Sequence, residues 1–327
     1  MSSLCTGIVQ SDWFGPLLVT VAAIVIVSWF HPTFLSPFNI QILLAAIAVN
    51  AVVAYSQMII IAIGQMNLSV GAIGGLVAIS FGGFMEVWSI PWPIAALLAL
   101  TIGLLAGVIN GLFVALTGIS AFIITLATLS VYKGINLGIT EAQPFYNIPD
   151  AVKHLGNDTF ISPLPWLILP TVLLTIGLWY LMNRLPAGRS ILAVGGNEHA
   201  AELSGLSVRK TTVIAHGISG CLAGLAGIML VGRLQLGQPT IGDDWLILSF
   251  AAPVIGGAIL TGGHISVIGT LLGVFIVAII TQVLVLFNVD PFLVQVVLGF
   301  LILWAVGINR VREVRAKKSA ASLSIGT

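Results

Sequence analysis

The chain has 327 residues and a formal net charge of +1, is 58% hydrophobic and only 7% charged. A soluble domain carries charge on roughly a quarter of its residues to solvate its surface, so a water-soluble globular fold is excluded. The apolar runs reach about 20 residues, as a membrane helix needs, and lack the period-2 alternation of a spanning barrel.

Hydropathy predicts an all-α polytopic membrane protein with ten spans, at residues 15–30, 40–63, 68–85, 92–116, 119–138, 165–183, 212–231, 244–262, 265–287 and 291–309. Prolines punctuate the boundaries: Pro32 and Pro37 after the first span, Pro91 and Pro93 before the fourth, Pro163 and Pro165 before the sixth. Proline suits a first helical turn because the donor it lacks has no partner there anyway. Spans 2 and 3 read either as two helices or as one broken, re-entrant element. No Lys or Arg precedes the first apolar run, so a cleaved signal peptide is not expected. Cys5 in the amino-terminal tail and Cys221 inside span 7 do not suit a disulfide.

Nine of the 12 Lys and Arg fall on one set of connections (Arg184, Arg189, Arg209, Lys210, Arg310, Arg312, Arg315, Lys317, Lys318), against Lys133, Lys153 and Arg233 on the other. The positive-inside rule then places both termini in the cytoplasm. Residues 1–311 read as a single transmembrane domain, with 184–211 its longest inner loop and 139–164 a polar outer loop. Residues 312–327 read as a disordered, basic then Ser/Ala-rich tail whose charges can touch anionic lipid. Spans 1–5 and 6–10 suit an inverted repeat, with 65–69 and 238–244 entering from opposite sides ahead of spans 3 and 8.

The spans lack an ion-coupling chain: Glu86, Asp243, Asp244 and Asp290 lie at span edges, and only His216 lies inside one, as a neutral interface histidine. A phosphate-binding loop is missing too, since Arg209 stands before Lys210 and Thr211 where that motif needs glycine. GISG at 217–220, with His264, matches an intramembrane serine protease pattern, but Gly220, Gly224 and Gly227 continue a small-residue packing surface. No catalytic or metal-binding residue is expected.

Residues 193–208, AVGGNEHAAELSGLSV, are the most informative segment. Asn197 is placed to cap a helix of about two turns, Glu198 sits at its positive end, and Gly205 suits a left-handed stop. Ala200, Ala201 and Leu203 give it a small apolar face. This segment resembles the cytoplasmic coupling loop of permeases in ribose-type ATP-binding-cassette importers, a superfamily shared with branched-chain amino-acid permeases. An ordered series supports the resemblance over about 39–309: NLSVG at 67–71, FIITL at 122–126, SGCLAGLAGI at 219–228, GGAILTGG at 256–263, GTLLG at 269–273 and QVVLG at 295–299.

The resemblance implies a sugar permease of the bacterial inner membrane that holds no cofactor itself. ATP would be bound by a partner ATPase subunit docked on Gly195, Asn197, Glu198, Ala200, Ala201, Leu203, Ser204 and Gly205. It also implies a periplasmic or lipid-anchored solute-binding protein and a second permease copy or paralogue; no nucleic-acid partner is expected. An amino-acid permease and an ion-coupled carrier are the alternatives. Asn50, Gln57, Gln65, Asn67, Ser69, Asn110, Thr125, Thr128 and Gln282 are polar residues in or beside spans. Of these, Gln57, Asn67, Ser69, Asn110, Thr125 and Gln282 are the pathway candidates. Asn67 doubles as a candidate cap for span 3, and Asp243 or Asp244 for span 8. The family usually has aspartate at position 67 and carboxylates at positions 246 and 248, where this chain has Asn67, Leu246 and Leu248.

Overall fold

The computed structural model describes residues 13–290 and, beyond them, positions 293, 295–297, 299, 300, 303, 304 and 307. Helix α1 (Phe14–Phe30) leads through a 3-10 turn (Pro32–Leu35) into α2 (Pro37–Ala62), then α3 (Val70–Glu86), α4 (Trp92–Thr117) and α5 (Ala121–Thr140). A short helix α6 (Asp150–Asn157) and an antiparallel ribbon, β1 (Thr159–Ile161) with β2 (Leu164–Pro165), follow. Next come α7 (Ile168–Arg184), α8 (Pro186–Gly196), α9 (Glu198–Leu203), α10 (Val208–Leu234), α11 (Trp245–Ile255) and α12 (Val267–Leu286).

Helices α2, α4, α5, α10 and α12 are long and apolar enough to cross a membrane, α7 and α8 form a pair bent by 67°, and α1, α3 and α11 are shorter apolar helices. Each of the first nine expected spans falls on one of these helices, while the tenth lies largely outside the described residues. Caps fix several starts: Ser36 accepts from Asn39 N before α2, Ser207 from Lys210 N before α10, and Ser266 from Gly269 N before α12. Two boundaries differ from expectation. Span 6 starts at Ile168, because Pro163 and Pro165 belong to the ribbon and its turn. Span 8 was expected to run to 262 but stops at Ile255, two residues after Pro253. The glycines beyond it adopt positive φ at Gly257, Gly262 and Gly263, conformations a helix does not contain.

Helix α2 is the centre of the bundle: every residue from Ala51 to Ile63 is buried. The outward faces of α4, α5 and α7 are the reverse, with Leu97, Leu105, Leu116, Ile123 and Leu173 exposed. Such a surface is soluble in acyl chains rather than water, which gives a helical, multi-pass membrane protein.

Lipid offers little hydrophobic drive for helix association, so close packing carries it. Here glycines let backbones touch. A Cβ on Gly107 would overlap the His216 carbonyl, one on Gly220 would overlap the Gly103 carbonyl, and one on Gly227 would overlap the Gly74 carbonyl. The small-residue reading of 217–227 therefore holds: this face seats α10 against α3 and α4. Gly107→Leu is expected to lower the melting temperature of the detergent-solubilised chain sharply, since overpacking costs about 1–3 kcal/mol or more. Gly134→Leu, at a position with nothing within 4 Å of a built Cβ, should leave it nearly unchanged; equal losses would contradict the packing scheme.

Candidate functional site

Two stretches of main chain leave helical geometry and run partly into the bundle, burying Asn67 and Ser69 in one and Gly237, Pro239, Ile241 and Gly242 in the other. The first, residues 63–69, joins α2 to α3 and settles the question of spans 2 and 3 as two separate helices. The second, residues 235–244, joins α10 to α11. The second abuts the start of α3, just past the end of the first, for a Cβ on Gly71 would overlap the Gly242 carbonyl and one on Gly242 the Gly71 carbonyl. Main chain at such depth needs partners for each amide and carbonyl, because no water supplies them.

Side chains supply them at the first stretch. The Gln57 amide lies against the Asn67 main chain, its nitrogen donating to Asn67 O (3.0 Å) and its oxygen accepting from Asn67 N (3.2 Å). Thr125 Oγ1 accepts from Leu68 N at 3.0 Å. Asn67 Oδ1 accepts from Ser69 N (2.9 Å) and Ser69 Oγ (2.7 Å), so Asn67 stabilises the turn before α3 rather than capping it; the residue at the cap position is Ser69. From there a relay runs outward. Asn67 Nδ2 donates to Ser219 Oγ (3.2 Å), which pairs with Ser56 Oγ (3.0 Å). Asn110 Nδ2 donates to Ser69 Oγ (2.8 Å), and Tyr132 OH donates to Asn110 Oδ1 (3.1 Å) and the Ala106 carbonyl (3.0 Å). Gln57, Asn67, Ser69, Asn110 and Thr125, five of the six pathway candidates, are thus gathered into one fully buried network. Ser219, singled out in the sequence only as part of GISG at 217–220 and of the series at 219–228, completes it with Ser56 and Tyr132, which no local motif announces. Beside it, His216 Nε2 meets Gln65 Oε1 at 3.0 Å.

Ser219 accordingly has a structural post: its hydroxyl faces Ser56 and Asn67.

At the second stretch Asn136 Nδ2 donates to the Pro239 carbonyl at 2.9 Å, and Phe145 and Gly237 exchange main-chain bonds. Asp244 occupies the cap position of α11 but makes no side-chain cap bond, and Asp243 is drawn away to Lys133 at 2.8 Å. Lys133 lies past the middle of α5 and both side chains of this ion pair are exposed, while Asp243 stands just ahead of α11, at a span edge as expected. Gln282, the sixth pathway candidate, is separate from the Asn67 network. It lines a cavity of about 610 Å³ with Asn50, Arg233, Asp243 and Asp244. Leu246 and Leu248 line the same cavity.

The loop at 184–211 contains two helices, α8 and α9, the second 6 residues long and so close to the two turns expected. Asn197 Oδ1 accepts from Ala200 N at 2.9 Å, and Gly205 takes φ +83°, the cap and stop read from the sequence. Glu198, Ala200, Leu203 and Ser204 are exposed, whereas Ala201 is buried against the chain itself. Ala201 is therefore an anchor and not part of an outward face. Behind α9, Gly195 and Gly263 are backbone to backbone with the end of α2: a Cβ on Gly195 would overlap the Ala62 carbonyl, to which Gly263 N donates at 3.0 Å. A second cavity, of about 490 Å³, is lined by Glu198, Glu202 and Arg209 together with Gln65 and Met66, so it joins the loop to the first unwound stretch.

Residues 39–306 match a family model described as branched-chain amino acid transport system / permease component. The chain belongs to this permease family. It is 37% identical to a ribose import permease protein of Bacillus subtilis over 317 residues, covering 96% of this chain and 95% of the relative. It is 33% identical to the ribose import permease protein of Escherichia coli K12, covering 91% and 93%, and 32% identical to a fructose import permease protein of Rhizobium meliloti, covering 86% and 81%. No solved structure matches the chain.

Replacing Asn67 by Leu strands the amide and hydroxyl donors of Ser69, removes one partner of Ser219 and disturbs the main-chain contact with Gln57, while Tyr132→Phe deprives only Asn110 Oδ1 of its donor. Each stranded buried group costs about 1–3 kcal/mol, more than the bond itself is worth. Asn67→Leu should lower the melting temperature of the permease severalfold more than Tyr132→Phe does. Equal shifts would mean that the network is not centred on Asn67.

Proposed function

We propose that this permease is the membrane-spanning subunit of an ATP-binding-cassette importer for a sugar, and that it performs no covalent chemistry. The observation that carries the reading is the near full-length similarity to ribose and fructose import permeases, together with a capped, partly exposed helix on the loop where a partner can dock. ATP would be bound and hydrolysed by a separate ATPase subunit. A periplasmic or lipid-anchored binding protein would deliver the solute, and a second copy or paralogue of the permease would complete the pathway.

The coupling contact is assigned to the exposed Asn197, Glu198, Ala200, Leu203 and Ser204, held in place by Gly195, Ala201 and Gly205. Closure of the ATPase would displace α9. Because Gly195 and Gly263 touch the end of α2 with no side chain between, displacement there reaches the Gly64–Ser69 stretch rather than dissipating in a compliant layer. In the assigned orientation residues 1–311 form one ten-span domain of the inner membrane with both termini cytoplasmic. An inverted five-plus-five repeat gains support from the approach of Gly242, in the stretch ahead of α11, to Gly71 at the start of α3, as expected where elements of two halves converge.

The docking assignment separates exposed from buried positions. Leu203→Glu and Ala200→Trp should reduce co-purification of the ATPase subunit at least tenfold while leaving the elution profile and melting temperature of the permease unchanged. Ala201→Trp should instead lower the yield of folded permease. Normal ATPase recovery with both exposed-face variants would sink the assignment.

A further inference from the structure

Two polar clusters occupy the bundle, and they differ in kind. The Asn67 network is closed: its side chains hydrogen-bond one another and the main chain around them. The cavity of about 610 Å³ is open to occupancy, walled by the first half of α2, the end of α10, the start of α11 and the second half of α12. Within it the side chains of Asn50, Arg233 and Gln282 make no hydrogen bond or ion pair to any of the described residues, and the Asp244 carboxylate meets its own main-chain amide and the like charge of Asp243. Arg233 is the most telling of these. It is half-buried, one residue from the end of α10, and the Asp243 carboxylate nearby is already taken by Lys133. Among the described residues no carboxylate forms an ion pair with it, and partly desolvated cations in membrane proteins are costly and mark solute and ion routes.

We propose that this cavity is the solute-selecting site of the permease, with Asn50, Arg233, Asp244 and Gln282 recognising a neutral polyhydroxylated molecule. The inference rests on the importer reading and adds the residues that would read the solute. Its chemistry follows from the donor set. A guanidinium presents parallel N–H groups that can reach two adjacent hydroxyl oxygens, and a carboxylate accepts from hydroxyl donors. The amides of Asn50 and Gln282 each donate and accept, as a hydroxyl does. Leu43, Val49 and Leu230 give apolar wall for the C–H faces of a sugar ring. The volume lies in the roughly 300–1,000 Å³ range of small-molecule sites. Side chains already satisfied within the protein could not exchange water for solute and back, which transport requires at each cycle. A zwitterionic amino acid would engage Arg233 and Asp244 but leave both amides idle, so it is the weaker fit. In the assigned orientation the cavity lies in the outer half of the bundle, where a solute released by a binding protein would arrive.

The test uses the full permease with its ATPase and binding protein in proteoliposomes, with labelled ribose, fructose, arabinose and leucine as probes. Arg233→Gln, Arg233→Lys and Gln282→Leu are compared with the unaltered chain, and ATPase co-purification reports folding. The expected result is uptake of one or more sugars by the unaltered system. It should fall about tenfold or more in Arg233→Gln, as loss of hydrogen bonds from a charged group implies. Gln282→Leu should change the ratio between sugars, with ATPase association retained in both. Arg233→Lys keeps the charge but not the fork and should also change that ratio, a readout that a merely structural role would not move. Sugar uptake with rates and ratios unaltered in all three variants would overturn the site while leaving the importer reading intact. Leucine uptake in place of any sugar, lost in the same variants, would overturn the polyhydroxyl assignment, and uptake of none of the four probes by the unaltered system would count against the importer reading itself.

Discussion

Main chain that leaves the helix inside an apolar bundle has no solvent to fall back on, and the rest of this structure is arranged around that constraint. It arises at 63–69 and at 235–244, and the second stretch meets the start of α3, just past the first, where Gly242 lies against Gly71. Each is satisfied from the side. Gln57, Thr125 and Asn67 serve the first, and Asn136 with the Phe145–Gly237 pairing serves the second. The individual bonds between membrane helices are worth only about 0.6 kcal/mol each, so their stabilisation is modest. Their larger effect is negative: any other arrangement would strand a buried amide or hydroxyl, which costs more than the bond gains. The network therefore specifies one way of seating α3 against α2, α4, α5 and α10.

Glycine makes the arrangement sterically possible and mechanically stiff. At Gly103, Gly107 and Gly220 it brings α4 and α10 into backbone contact; at Gly195 and Gly263 it brings the cytoplasmic loop onto the end of α2. Packed protein is poorly compressible, and a junction without side chains has no rotamer through which to yield. The loop that would receive force from a partner is thus tied directly to the stretch that carries Asn67. The proposed solute cavity includes Asp243 and Asp244 of the second stretch, whose Gly242 lies against Gly71 at the start of α3. Cytoplasmic loop, first stretch, α3, second stretch and cavity are thus contiguous, the route by which docking of a partner would alter the proposed site.

Much of this was legible in the sequence. Long uncharged runs located nine helices because burial in lipid leaves no other composition open to them. Asn197 and Gly205 announced α9 because capping and left-handed stops are local chemistry. Asn67 and Ser69 stood out as polar residues beside a break. What stayed hidden depended on distant partners. Hydropathy cannot separate Ala200 from Ala201, although one is exposed and the other anchors the loop. It carried span 8 through Gly256 and Gly257 because glycine is neutral to hydropathy yet decisive for backbone geometry. Lys133 and Asp243 are 110 positions apart and pair only because 235–244 runs back beside α5. Tyr132 joins the Asn67 relay through Asn110, which no spacing in the chain foretells.

The central claim is that this chain moves a sugar using energy taken from a partner. Proteoliposomes holding the permease with its ATPase subunit, supplied with the binding protein, ATP and labelled ribose or fructose, test it with every ion gradient collapsed. The account predicts accumulation that requires ATP and stops when the ATPase is omitted. Accumulation driven by a proton or sodium gradient across liposomes holding this chain alone would contradict it.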